Sequence, residues 1–315
     1  MKGKHRTQMK LNKTKIISPL LLLITALIWG SAFVAQSVGS RSLDPWTFVF
    51  TRYVLSALVL IPVSVFSEKK AGKEENPEEK KTLLKGALLC GAFLGLASIA
   101  QQAGIRYTTA GKAGFITTLY VVLVPLISLF LGRKAERKTW ICTLLGLSGL
   151  YLISVKENFT VGMGDALVIL CALLFSFQII CVGYYSVRVR NVIKLSNLQF
   201  MAAALIVLPG LLIFERPSIT DICEGAPSVL YVGLFSGAIG YTLQVVAQKN
   251  TDPAVASLIM SMESVFAAIT GWIVLGQSLS PRETAGCGIL FLAVILSELP
   301  VSLPERKHSR NKDGN

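Results

Sequence analysis

The feature that most constrains this chain is a succession of apolar runs of about 17–23 residues, separated by short stretches that hold nearly all the charge. A run of that length crosses a hydrocarbon layer about 30 Å thick as an α-helix. In such a layer every backbone N–H and C=O must find a partner within the protein, which leaves helices and closed β-barrels as spanning structures. A barrel would show alternating segments of about ten residues, and the runs here are continuous. Asp, Glu, Lys and Arg make up only 16% of the chain, against roughly 25% in an ordinary globular domain. They gather in 1–15, 67–85, 133–138 and 305–313. A secreted disulfide scaffold, a disordered tail protein and a soluble enzyme are excluded. The fold class expected is an all-α polytopic membrane protein.

Ten transmembrane helices are expected, near 17–38, 45–66, 83–105, 112–131, 139–155, 165–186, 195–214, 226–248, 254–275 and 283–300. Turn signals separate them: Asp44-Pro45, Gly162 to Gly164, Pro217, Asp252-Pro253 and Ser280-Pro281. With both termini in the cytoplasm, 24 of the 31 Lys and Arg fall on the inner side and 6 on the outer, with Arg52 inside the second span. That asymmetry is the positive-inside pattern. Residues 1–16 and 301–315 are then cytoplasmic tails. The basic N-terminus followed by an apolar run resembles a signal peptide, but 17–38 is long for one and more spans follow, so it reads as an uncleaved first helix.

A net charge of +13 and a pI near 9.6 would point to nucleic acid in a soluble protein. Here the basic residues flank apolar spans, so their expected partners are anionic lipid headgroups, and no nucleic acid is expected. The two histidines, His5 and His308, lie in the tails, out of reach of a membrane-embedded site. The six cysteines form no C-x-x-C pair and five lie in apolar spans, where Cys behaves as a small hydrophobe. No metal and no cofactor are expected.

The chain matches itself at a separation near 145. Gly91-x-x-x-Gly95 and Gln102 recur as Gly233-x-x-x-Gly237 and Gln244; Ala113 to Leu131 aligns with Ala256 onward; Gly132 recurs as Gly276, Ala26-Leu27 as Ala172-Leu173 and Pro62 as Pro209. Two units follow, 17–155 and 165–300. Five spans is an odd number, so the second unit enters the membrane inverted, an architecture of secondary transporters with the site between the halves. The Gly-x-x-x-Gly pairs are expected to pack helices closely within each half.

The sequence resembles the drug/metabolite transporter superfamily, in its ten-helix branch built from two EamA domains. The resemblance covers about 17–300. It rests on Ala-Leu-Ile-Trp29-Gly30-Ser-Ala-Phe33, on Phe-Thr-Arg52-Tyr, on Gly114 through Tyr120 to Pro125, on Leu198-Gln199-Phe200, and on Met262-Glu263-Ser-Val-Phe266-Ala. One departure is Gln277 after Gly276, where the family usually has Glu. The resemblance implies movement of small organic solutes such as amino acids, amines and drugs, often outward, across a bacterial-type plasma membrane.

A few polar residues lie inside the spans. An ionisable side chain at mid-depth costs about 2.5–3.5 kcal/mol to insert and normally faces a cavity or a partner. Glu263 is such a residue. At helical spacing its face carries Ala256, Met260, Ala267 and Thr270, and its repeat partner Tyr120 shares a face with Ala113, Thr117 and Val124. Two readings stand: a substrate-binding or proton-carrying carboxyl, and a protonated carboxyl that joins helices. The first is favoured, because Gln would serve the second. Trp29 and Gln178 lie near mid-depth, and Gln36, Gln102 and Gln244 nearer the span ends. Their amides and ring suit a polar or cationic solute, or equally helix packing. Arg52 can snorkel or meet an internal carboxylate; a structural role is favoured.

Gly162-Met-Gly164-Asp165 matches the G-x-G-D signature of aspartyl intramembrane proteases, but no second Asp lies in a span to share the proton; Asp165 suffices as a helix-capping residue. No phosphate-binding loop is present. The expected function is therefore secondary transport of a small organic molecule, with proton exchange as the expected coupling, a passive facilitator or channel as the alternative and a membrane enzyme as a distant third. A homodimer is compatible with the sequence.

Overall fold

The computed structural model describes residues 2–71, 76–108, 110–133, 136–154, 162–275 and 280–299. Lys156, Gly276, Gln277 and the C-terminal tail 301–315 lie outside them. The elements are α1 (Lys2–Gly39), α2 (Pro45–Ala71), α3 (Pro77–Ile105), α4 (Ala110–Thr117), α5 (Tyr120–Phe130), α6 (Arg137–Ser154), α7 (Met163–Ser186), α8 (Val192–Phe214), α9 (Ile219–Tyr231), a π-helix (Val232–Tyr241), α10 (Thr242–Gln248), α11 (Pro253–Met260), α12 (Glu263–Leu275) and α13 (Pro281–Glu298). The protein is an all-α polytopic membrane protein. Eight segments among the described residues are long and apolar enough to span; α6 and α13 complete the bundle by packing on each other.

Helices outrun the apolar spans where a cap starts them early. The Asn76 side chain accepts from Glu79 N at 2.8 Å and Asn76 N donates to Glu79, so α3 begins at Pro77 rather than near 83. Ser218 and Asp221 make the same reciprocal cap, so α9 begins at Ile219 rather than 226. Outside hydrocarbon a capped helix tolerates charge, so apolar length marks the membrane crossing and not the helix.

Two expected spans are broken. The run 112–131 divides at Thr118-Leu119, and the run 254–275 divides at Ser261-Met262. Each break is a tight turn with a three-residue backbone bond, Leu119 N to Ile116 O and Met262 N to Ile259 O, both 3.2 Å. At each, a hydroxyl takes up a carbonyl three residues back: Thr118 Oγ1 to Phe115 O at 2.7 Å and Ser261 Oγ to Leu258 O at 2.6 Å. Such side-chain bonds let a helix end without stranding backbone groups.

The π-helix sits inside the expected eighth span. Its displaced carbonyls are taken up by neighbouring helices: Ser56 Oγ donates to Gly233 O at 2.8 Å, Trp29 Nε1 to Ser236 O at 3.2 Å, and Thr25 Oγ1 to Gly240 O at 3.2 Å. Apolar periodicity does not distinguish π from α winding. Short π segments recur at functional sites.

The glycine pairs pack across the chain's two parts rather than within each. A Cβ on Gly91 would lie 2.5 Å from Gln199 O and 2.6 Å from Ala202 Cβ on α8. One on Gly233 would lie 2.7 Å from Leu55 and 3.1 Å from Arg52 O on α2. Thus α3 rests on α7 and α8, while α2 rests on α8 and the π-helix. Gly149 and Gly286 let α6 and α13 touch backbone to backbone in the same way.

Polar contacts tie both ends of the bundle. At one end Glu215 accepts from Trp46 N, Thr47 N and Thr47 Oγ1 at 2.7–3.0 Å, capping α2 from the end of α8. There too Arg106 meets Asp44 at 2.7 Å, and Lys112 meets Asp165 at 2.6 Å. At the opposite end Lys194 pairs with Glu68 and Arg190 with Glu79.

Candidate functional site

A cavity opens among α1, α2, α3, the two broken helices, α7 and the π-helix. Its floor is a carboxyl–phenol pair. Tyr120 Oη donates to Glu263 Oε1 at 3.0 Å. Each of these residues is the first of the helix that resumes after a break, Tyr120 opening α5 and Glu263 opening α12. Thr118 Oγ1 and Ser264 Oγ lie 3.1 Å apart, so the two breaks are bonded to each other at two points. Glu263 is 2% exposed. The continuous face expected around it, Ala256 through Thr270, does not exist, because the turn at Ser261-Met262 interrupts the helical register. On the Tyr120 side Thr117 does reach the cavity.

The apolar wall is aromatic. Trp29 lies 4.6 Å from Tyr241 between ring centroids, and Tyr241 contacts Phe175 and Phe200 at 6.5 and 6.0 Å. Phe200 in turn stacks on Tyr53 at 5.7 Å. Trp29 and Phe33 on α1 face Phe175 and Ile179 on α7, four residues apart in each case. That is one helical turn, so each helix presents one stripe.

The polar wall centres on Arg52. It is 3% exposed, so it does not snorkel to a surface. Its Nη1 donates to Gln36 Oε1 at 3.1 Å and its Nη2 to Tyr53 Oη at 3.0 Å. The guanidinium also lies 4.7 Å from the Tyr53 ring centroid. Both partners have further bonds: Tyr53 Oη bonds Ser98 Oγ, and Gln102 Nε2 donates to the main-chain carbonyl of Gln36 at 3.1 Å. Gln101 Nε2 donates to Thr117 Oγ1 at 3.1 Å on the same wall.

Of the residues singled out from sequence, the structure brings Trp29, Gln36, Tyr120, Gln178 and Glu263 to the cavity lining. Gln102 and Gln244 are buried behind it. Gln102 supports Gln36, and Gln244 exchanges two amide bonds with Gln178, at 3.1 and 3.4 Å. Sequence reasoning left out Phe33, Gln101, Phe175, Ile179, Ser236 and Tyr241 as site residues. Two had a signal: Phe175 and Ile179 stand at the 146-residue repeat offset from Trp29 and Phe33. Gln101 stood beside the chosen Gln102, and helix rotation alone decides which of two neighbours faces in.

Comparisons with known proteins agree with this architecture. The EamA-like transporter family matches residues 16–155 and 162–299. An uncharacterized transporter of Archaeoglobus fulgidus is 30% identical over 292 residues, covering 91% of this chain and 87% of its own. The inner membrane transporter YedA of Escherichia coli is 22% identical, over 87% of this chain and 88% of its own. A protein of solved crystal structure superposes with a TM-score of 0.71 at 15% identity, over 89% of this chain and 96% of that one, a likeness of fold.

Proposed function

Because this chain belongs to the EamA-like transporter family, we propose that it is a secondary transporter that exchanges protons for a small organic solute, exports it, and works by alternating access. The observation that carries this reading is the Tyr120–Glu263 bond, which joins two helix breaks beside a cavity. Irregular backbone within membrane spans is characteristic of transporter sites, where it lines a cavity and two structural repeats can rock about it. The matching turns at 118–119 and 261–262 support division into an inverted pair of repeats, 17–155 and 165–300.

Glu263 is the proton carrier in this reading. Removal from water disfavours a charged carboxylate, so loading a proton and releasing it to one side couples the carboxyl to the solute. Trp29, Gln36, Tyr120 and Gln178 bind the solute; Gln102 and Gln244 position Gln36 and Gln178. Both termini are cytoplasmic in a plasma membrane, with basic loops on anionic headgroups. Among the described residues the cavity lining holds one carboxyl, Glu263, and not the pair that an aspartyl protease uses.

Proteoliposomes loaded with labelled solute test the coupling. Accumulation that follows an imposed pH gradient is expected. Flux that is unchanged at every gradient would overturn coupling and leave passive facilitation.

A further inference from the structure

Arg52 carries a fixed positive charge inside the bundle and has only neutral hydrogen-bond partners. A guanidinium remains protonated under all working conditions and offers five N–H donors in a planar fork. The two side-chain bonds to Gln36 and Tyr53 use two of them. Its Nε is buried without any hydrogen-bond partner, and among the described residues no carboxylate lies within ion-pair distance of it. Glu263, the carboxyl of the same cavity, bonds to Tyr120 instead. A buried charge without a counter-ion is strongly unfavourable, and burial persists where a second function requires it.

We propose that Arg52 is the site at which the transported solute's carboxylate binds, so that the cavity selects organic acids with an apolar body over amines and cationic drugs. The inference rests on the transporter reading and adds the substrate class to it. Gln36 and Tyr53 hold the guanidinium from two sides; Ser98 holds the Tyr53 hydroxyl, and Gln102 ties the Gln36 main chain. The fork is therefore oriented before a ligand arrives, which limits the ordering cost of binding. Guanidinium and carboxylate planes match in two parallel bonds, the geometry for which Arg is preferred to Lys. Trp29, Phe33, Phe175 and Tyr241 supply an apolar wall for the rest of the molecule.

Three probes with the same ring and different ends test this: 3-phenylpropionate, phenylalanine and phenethylamine. Binding to the purified protein is measured by calorimetry, and flux in proteoliposomes. The two carboxylate-bearing probes are expected to bind and phenethylamine to fail. Binding of both acids would show that the carboxylate alone is read; binding of phenylalanine alone would show that its ammonium is read as well, with the carboxylate still required. Arg52→Gln should lower the affinity for the acids by about 10- to 100-fold, the loss expected of a charge-assisted pair. Arg52→Lys should lose less, since it keeps the charge without the fork. The wild-type comparison of the three probes needs no variant and stands even where Arg52→Gln fails to fold. Equal binding of phenethylamine, no binding by either acid, or full displacement of the acids by chloride would overturn the proposal. Flux of the amine in the same vesicles, unaffected by Arg52→Gln, would overturn it while leaving transport intact. Absence of flux for every probe, with acid binding retained, would count instead against transport.

Discussion

Tyr120 and Glu263, 143 residues apart, share a hydrogen bond of 3.0 Å at the points where two broken helices resume. The bond gives a buried carboxyl a phenol as its partner. It also makes the two breaks a single unit, since Thr118 and Ser264 meet beside it. A cycle of Tyr120→Phe, Glu263→Gln and the double variant should therefore show coupling of about 1–3 kcal/mol in unfolding stability. Purely additive losses would mean that the bond contributes nothing.

Glu263→Gln keeps the shape and a hydrogen-bonding group but cannot release a proton. Proton-driven accumulation should be abolished, while downhill exchange of solute should continue in part. Side-by-side assays of accumulation and exchange check this. Accumulation at wild-type level in the variant would remove Glu263 from the coupling step.

Trp29 has two separable roles: its ring faces Tyr241, and its Nε1 donates to Ser236 O in the π-helix. A bound ligand at 100 times its Kd raises stability by about 2.7 kcal/mol, which appears as a melting shift. Trp29→Ala should erase that shift. Trp29→Phe should retain most of it and lower the stability of the unliganded protein by about 1 kcal/mol, the net worth of the lost hydrogen bond.

Gly91 and Gly111 make a controlled pair. A methyl at Gly91 meets Gln199 O and Ala202, whereas one at Gly111 meets nothing within 4 Å. Gly91→Ala should destabilise by about 1–3 kcal/mol through overpacking. Gly111→Ala should be neutral or stabilise by up to about 1 kcal/mol through helix propensity. Thermal melting in detergent reads both, and equal effects would show that α3 and α8 can separate without loss.

Glu215 caps α2 from another helix through three hydrogen bonds. Glu215→Ala should cost about 0.5–2 kcal/mol, the range for loss of a helix cap. Melting of Glu215→Gln, which retains an acceptor, should fall between the two.

The sequence by itself determined the membrane, the helical class and the approximate positions of the spans. Those follow from apolar run length and from the confinement of Lys and Arg to the connections, and both are local properties. The burial argument likewise singled out Glu263, because charge inside an apolar run is visible without coordinates. Tertiary structure decided everything that depends on rotation or winding. Gln101 rather than Gln102 lines the cavity; the π-helix hands carbonyls to Thr25, Trp29 and Ser56; and the breaks at Thr118 and Ser261 bring Tyr120 to Glu263. For Arg52 the sequence left snorkelling or an internal carboxylate open, with a structural role favoured; the structure buries it on the cavity wall. The physical reason is common to all of these. Hydropathy reports how much of a residue leaves water, whereas which neighbour receives it is set by how helices turn and pack against one another.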